Sequence, residues 1–402
     1  MHRYTMKKQK YSVLLFFILI LCGSCGKPKM DIDYTPVSVA GQSAHSTLLK
    51  VFLENSGSMD GYMCDGSELK DAVKGFVSST SSDFDSLSLN FINTSIIPRG
   101  NDYRHFIEGL NPVTFKTAGG NRGNTDIGEL IDRIIAQTDG NTVSMFISDC
   151  ILDVPEGLAT DFFTDRQIDV TNAIKRFKNK ADNAVIVMQL ESRFIGRYYG
   201  LDGVTSLNGE KRPYYIWLFG PSALLAKVIK DSPIEEIKHG VKNWVAFCKK
   251  QTIPFEITNQ YGNAPKQMSP TRNGVYEVLV KANLNGLLQS EQSLTDVSHY
   301  KVRNASQVKV CAIKKIAVGE SPYTHIITLN ISKSIKPCAE VLSYGNANQV
   351  PRWVNDSNED TGKDIKKNMD KTTGIKYLIE GVVEAYKQET VLGDIQFVIN
   401  NK

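Results

Sequence analysis

Past its first 24 residues, the sequence has no excess of charge of either sign. Four of its 47 basic side chains, Arg3, Lys7, Lys8 and Lys10, lie in that leader, which holds no acid, so the remainder carries 43 of each sign. A balanced chain gives no electrostatic ground for binding nucleic acid or an anionic surface. Paired cysteines are missing too: past Cys25 there is no CxxC, and no Cys/His group has zinc spacing. The six histidines, at 2, 45, 105, 239, 299 and 325, are scattered and form no triad or metal spacing. There is no GxSxG elbow, no GxxxxGK phosphate loop and no HExxH. These absences argue against an enzyme. No stretch beyond the N-terminus is long and apolar enough to span a bilayer.

What the N-terminus does contain is a basic run, "MKKQK", followed by "YSVLLFFILILC", an apolar stretch of about a dozen residues, the length of a signal core. The run ends in "CGSCGK", which resembles a bacterial lipoprotein box. Small residues Gly23 and Ser24 precede Cys25, the residue this resemblance implies is lipidated; bulky Leu21 makes Cys22 the poorer choice. Residues 1–24 then form a signal peptide and the chain belongs to the cell envelope, anchored to the membrane through lipid. Residues 25–45, polar with scattered Pro and Gly, read as a tether. Of the remaining cysteines, Cys64, Cys150, Cys248, Cys311 and Cys338, the pair in the strand-rich end, Cys311 and Cys338, is the one expected to bridge.

From 46 to about 240, strands such as "STLLKVFLE", "SLSLNFINTSII" and "TVSMFISD" alternate with helices such as "SELKDAVKGFVSST" and "TDIGELIDRIIAQT". Such alternation predicts an α/β domain with a doubly wound, mostly parallel sheet. "GRYYGLDGVTSLNGEKR" reads as a polar loop or hairpin between the last two strands. Past 250 the strands follow one another, with one clear helix in "TGIKYLIEGVVEAYKQ", so 250–402 is expected to be a β-rich, sandwich-like domain. Its run "NDSNEDTGKDIKKNMDK" reads as a charged, mobile loop.

Ligands of doubly wound sheets bind beyond the carboxyl ends of the strands. "VFLENSGSM" puts Glu54, Ser56 and Ser58 at one such end, "GGNRGNTDIG" brings Thr125 to a helix start, and "FISDC" ends a strand in Asp149. Three hydroxyls and two carboxylates make a hard-oxygen set suited to Mg2+, with Mn2+ and Ca2+ as alternatives. Taken singly, the serines also suit a turn or a helix cap, and Thr125 suits the cap of the helix that follows. Asp60, Cys64 and Asp65, just beyond the serines, read as solvated loop residues.

In order and strand context, "ENSGSM", "GNTDIG" and "FISD" resemble the von Willebrand factor A domain and its metal-ion-dependent adhesion site, over roughly residues 46–235. That site reads Asp-x-Ser-x-Ser, a distant Thr and a later Asp. The resemblance implies a metal held by Ser56, Ser58, Thr125 and Asp149, and capture of an acidic side chain of a partner protein. Glu54 stands where the family has Asp, one methylene longer, and Cys150 stands where it often has Gly. The expected function is therefore metal-dependent protein binding by an envelope lipoprotein. The alternatives are a structural envelope subunit with a defunct metal site and, less favoured, a metal-dependent hydrolase.

Overall fold

Leu48 to Glu54, "LLKVFLE", is buried along nearly its whole length, as a strand covered on both faces must be. In the computed structural model, which describes residues 29–38, 46–123, 125–155, 159–317, 319, 321–345 and 349–401, this strand lies near the centre of a seven-stranded sheet. The signal peptide and Cys25 lie outside the described residues. With β1 at Met30–Asp33 and β2 at Leu48–Glu54, the sheet runs through β3 (Ser86–Ile92), β4 (Ile96–Pro98), β5 (Thr142–Ser148), β6 (Asn183–Gly200), β7 (Gly203–Pro221) and β8 (Asn243–Phe247), in the order β4-β3-β2-β5-β7-β6-β8.

The sheet is mixed, not mostly parallel. β2 pairs in parallel with β3 and β5, whereas β3–β4, β5–β7, β7–β6 and β6–β8 are antiparallel. The cause is the stretch 196–212, which continues both flanking strands instead of looping out. β6 and β7 pair from Asn183↔Pro221 out to Gly200↔Gly203, leaving Leu201 and Asp202 as the whole connection. So short a turn joins only antiparallel strands. Gly203 turns the corner at φ +115°, where a side chain would be strained.

Helices cover both faces. Leu49, Val51 and Leu53 of β2 point toward Leu69, Val73 and Phe76 of the helix Glu68–Ser81. Phe52 and Phe146 point the other way, toward the helices Ile127–Ala136 and Ala159–Lys180. The second half adds two antiparallel sheets with period-two burial. One contains β10 (Phe255–Asn259), β11 (Val275–Ala282), β13 (Val308–Lys315) and β14 (His325–Ser332). The other contains β1, β12 (Tyr300–Val302), β15 (Cys338–Tyr344) and β18 (Gly393–Asn401), with β9 (Gln251–Thr252) alongside β18.

The chain passes between these units more often than the limits 46–240 and 250–402 provide for. Met30–Asp33, within the expected tether, pairs with the last strand (Met30↔Asn401), because Met30 and Ile32 are apolar and become buried there. The helix Ile375–Tyr386 returns to the first sheet and lies on the helix Ala159–Lys180, with Leu378, Ile379 and Val382 in its core. The charged run 355–371 is likewise docked: Leu201 N donates to Gly362 O at 2.7 Å, and Asp364 N to Asp202 Oδ2 at 2.8 Å. Cys311 and Cys338, on β13 and β15 of different sheets, do not bridge; both thiols are free, and Cys311 is exposed.

Gly381 marks the tightest point of the helix–helix contact, where an added Cβ would meet Val170 and the Gln167 carbonyl at 2.9 Å. Gly381→Val should cost about 1–3 kcal/mol by overpacking. Chemical denaturation followed by tryptophan fluorescence reads this as a lower midpoint; an unchanged midpoint would contradict the packing.

Candidate functional site

The site forms where β2 and β5 end side by side, Leu53 opposite Ile147. Glu54 is buried there, and Ser148 donates a short hydrogen bond to its Oε2 while accepting one from Cys150 N at 2.7 Å. After Glu54 the chain turns through Asn55–Gly57 into a short 3-10 helix, Ser58–Met63, with Ser56 and Ser58 hydroxyls 2.8 Å apart. Asp149 is buried; its Oδ1 accepts from Ile151 N at 3.4 Å. Its Oδ2, and the hydroxyl of Thr125, are buried with no hydrogen-bond partner among the described residues. Orphaned buried polar atoms are costly; these are two of fifteen such side-chain atoms among the described residues, and the two that belong to the candidate ligands.

The turn is held by a residue the sequence reading passed over, Arg122 of the glycine-rich stretch. Its Nε donates to Asn55 Oδ1 at 2.9 Å, its Nη2 to Ser56 O at 3.0 Å, and it pairs with Asp60. Arg122 O in turn accepts from Gly57 N at 3.2 Å. Asp60 is therefore no solvated loop residue but one arm of this clamp, with Lys116 3.7 Å away. Gly120, at φ +72°, lets the loop close in: a Cβ there would overlap the Asn93 side chain at 2.2 Å. The one cue to Arg122 in the sequence is its place between the glycines of "GGNRGNTDIG".

Burial, and then the Asp149 charge beside it, pushes the Glu54 carboxyl up to about 8, against the hydrogen bonds from Ser148 and Ser56. Burial raises Asp149 too, opposed by the Ser58 hydroxyl and by the charge of Arg212. Arg212 was also missed. It is 1 % exposed, lies over the Tyr198 ring at 4.6 Å and donates to Met369 O at 3.3 Å. Its cue was a charge running straight into the apolar stretch "PYYIWLFG".

The structure thus brings Glu54, Ser56, Ser58 and Thr125 to the wall of one cavity of about 460 Å3, with Asp149 buried beside them. Among the described residues no three His, Cys, Asp or Glu side chains gather as a metal cluster. The candidate set holds only two carboxylates, and its other oxygens are hydroxyls. Hard oxygens with two unsatisfied members fit a small divalent cation.

No protein-family model matches this chain, and no curated protein matches it in sequence. The reading of the site therefore rests on its own residues.

Removing the clamp should loosen the serine turn. Arg122→Met leaves Asp60 and the Asn55 side chain without their partner and should cost about 2–4 kcal/mol. Arg122→Lys should recover little of it, because an ammonium cannot fork across three acceptors. Urea denaturation of the three proteins measures both; equal midpoints for wild type and Arg122→Met would contradict the clamp.

Proposed function

We propose that this chain is a cell-envelope lipoprotein, anchored through Cys25, that binds a partner protein through a divalent cation in a von Willebrand factor A-like domain. The observation that carries the reading is the pair of buried, unpartnered oxygens, Thr125 Oγ1 and Asp149 Oδ2, beside two serine hydroxyls and the Glu54 carboxyl. Support for the A-like arrangement comes from β2 lying parallel to β3 and β5, with the candidate ligands at the carboxyl ends of β2 and β5. In this reading Ser56, Ser58 and Thr125 would hold Mg2+, or Mn2+ or Ca2+, through hydroxyls, with Asp149 supplying most of the charge and Glu54 completing or modulating the set. A bound cation supplies an electrophilic position that a carboxylate of the partner can take. Arg122 holds the serine turn in register, and Arg212 offsets part of the buried negative charge. Binding is preferred to catalysis because the sequence holds no GxSxG elbow, no GxxxxGK phosphate loop and no HExxH.

The second reading, a structural subunit with a closed site, is favoured by one observation: the Glu54 carboxyl is already hydrogen-bonded by Ser148. Calorimetry with Mg2+ and Mn2+ separates the two. Wild type should bind, Asp149→Ala should lose far more affinity than Ser56→Ala, and both variants should keep the wild-type circular dichroism. If only Glu54→Asp binds, Glu54 closes the site; if none binds, the structural reading stands.

No helix among the described residues is long and apolar enough to cross a membrane. Anchoring is tested by mass spectrometry of the mature N-terminus, which should show diacylglyceryl-modified Cys25. An unacylated terminus elsewhere would contradict the envelope reading.

A further inference from the structure

The candidate ligands do not lie on an open rim. The β6–β7 ribbon and two other segments wall them in. Tyr199, Gly200 and Leu201 of the ribbon turn form one side, Ile151 and Val154 another, and Gly362 with Thr373 a third. The walls are pinned to each other: Leu201 N donates to Gly362 O at 2.7 Å and Leu152 N to Thr373 O at 3.0 Å. The result is a recess of about 460 Å3. That is the size of a small-ligand pocket, whereas two protein faces meeting flat cover roughly 800 Å2 on each side.

The walls are also apolar in a place where folding does not require it. Tyr199 and Leu201, both lining the recess, are 54 % and 39 % exposed, and the exposed Ile195 and Val204 lie on the same ribbon outside it. Contiguous exposed apolar surface beside a polar floor marks a binding site. Besides the Glu54 carboxyl, the ionisable side chains lining the recess are the acids Asp60 and Asp153 against Arg122 alone, and Arg122 is engaged by Asp60. A ligand with several negative charges would be repelled; a single carboxylate is accepted once the floor carries a cation.

From this we infer that the ligand is an amphiphilic monocarboxylate, a small acid or the free C-terminal end of a chain, whose carboxylate reaches the floor while its apolar body packs on Tyr199, Leu201 and Ile151. A folded surface that offers an acidic side chain from a flat face does not reach the floor. The inference rests on the cation reading above for the position the carboxylate takes, and goes beyond it in setting the size and apolar character of what enters.

The test is calorimetry on the full-length mature chain in detergent, with empty micelles as the blank, first with Mg2+ alone and then, at saturating Mg2+, with four probes. These are acetate, 4-phenylbutyrate, the peptide N-acetyl-Gly-Phe-Leu-Ala and its C-terminal amide. Burying an apolar body should make phenylbutyrate or the free-acid peptide bind roughly tenfold or more tighter than acetate, with no binding of the amide. The tighter of the two distinguishes a small acid from a chain terminus. Tyr199→Ser and Leu201→Ser should erase the preference over acetate while leaving the Mg2+ titration unchanged. A normal Mg2+ titration with no gain from the apolar body, or with the amide binding equally, overturns the inference and leaves the cation reading intact. No heat from Mg2+ and none from any carboxylate overturns both.

Discussion

Two carboxylates, Glu54 and Asp149, are buried where the central parallel strands β2 and β5 end, and the surroundings of the site are organised around that cost. Burying like charges side by side is unfavourable unless protons, hydrogen bonds or cations compensate. All three forms of compensation are present or implied. The Glu54 carboxyl is held up to about 8, Ser148 hydrogen-bonds Glu54 and Ile151 N hydrogen-bonds Asp149, and the buried Arg212 contributes one positive charge. What remains uncompensated is an Asp149 oxygen and the Thr125 hydroxyl, and they are the feature that calls for a cation.

The architecture serves this small volume from a distance. The Arg122 clamp holds the serine turn against the glycine-rich loop, so the hydroxyls of Ser56 and Ser58 stay together. The β6–β7 ribbon, extended well past the sheet, brings Tyr198 and Arg212 over the same region. Segment 357–374, far along the chain, then closes the third side and continues into the helix Ile375–Tyr386 that covers the first sheet. β1, joined to β18, ties the start of the described chain to its end. The second unit is thereby woven into the first, so the recess depends on residues from both.

Much of this was legible in the sequence. Continuous apolar runs marked β2 and β5, and the residues just past them, Glu54, Ser56, Ser58 and Asp149, follow from where such strands end. Thr125 was readable as a helix start after a glycine-rich loop. The ribbon was legible only as a loop or a hairpin, and the hairpin is what forms; its length was hidden because one of its faces is solvated, Arg193, Arg197 and Tyr199 alternating with buried Phe194 and Tyr198. The helix at 375–386 was visible from its period, but an apolar stripe does not say which unit covers it. β1 is four residues long, too short to register against a polar background. Arg122 and Arg212 escaped because a cation's partners lie far away in sequence, and the expected Cys311–Cys338 bridge failed because sharing a β-rich region does not bring two cysteines into bonding distance.

The central claim is that the two orphaned oxygens share a metal ion, and anomalous diffraction from a crystal of the protein grown with Mn2+ tests it most directly. The account predicts one anomalous peak within coordination distance of the hydroxyls of Ser56, Ser58 and Thr125, and close to the Asp149 carboxylate. A crystal in which that position shows no peak, with Glu54 turned in to fill it, would contradict the account.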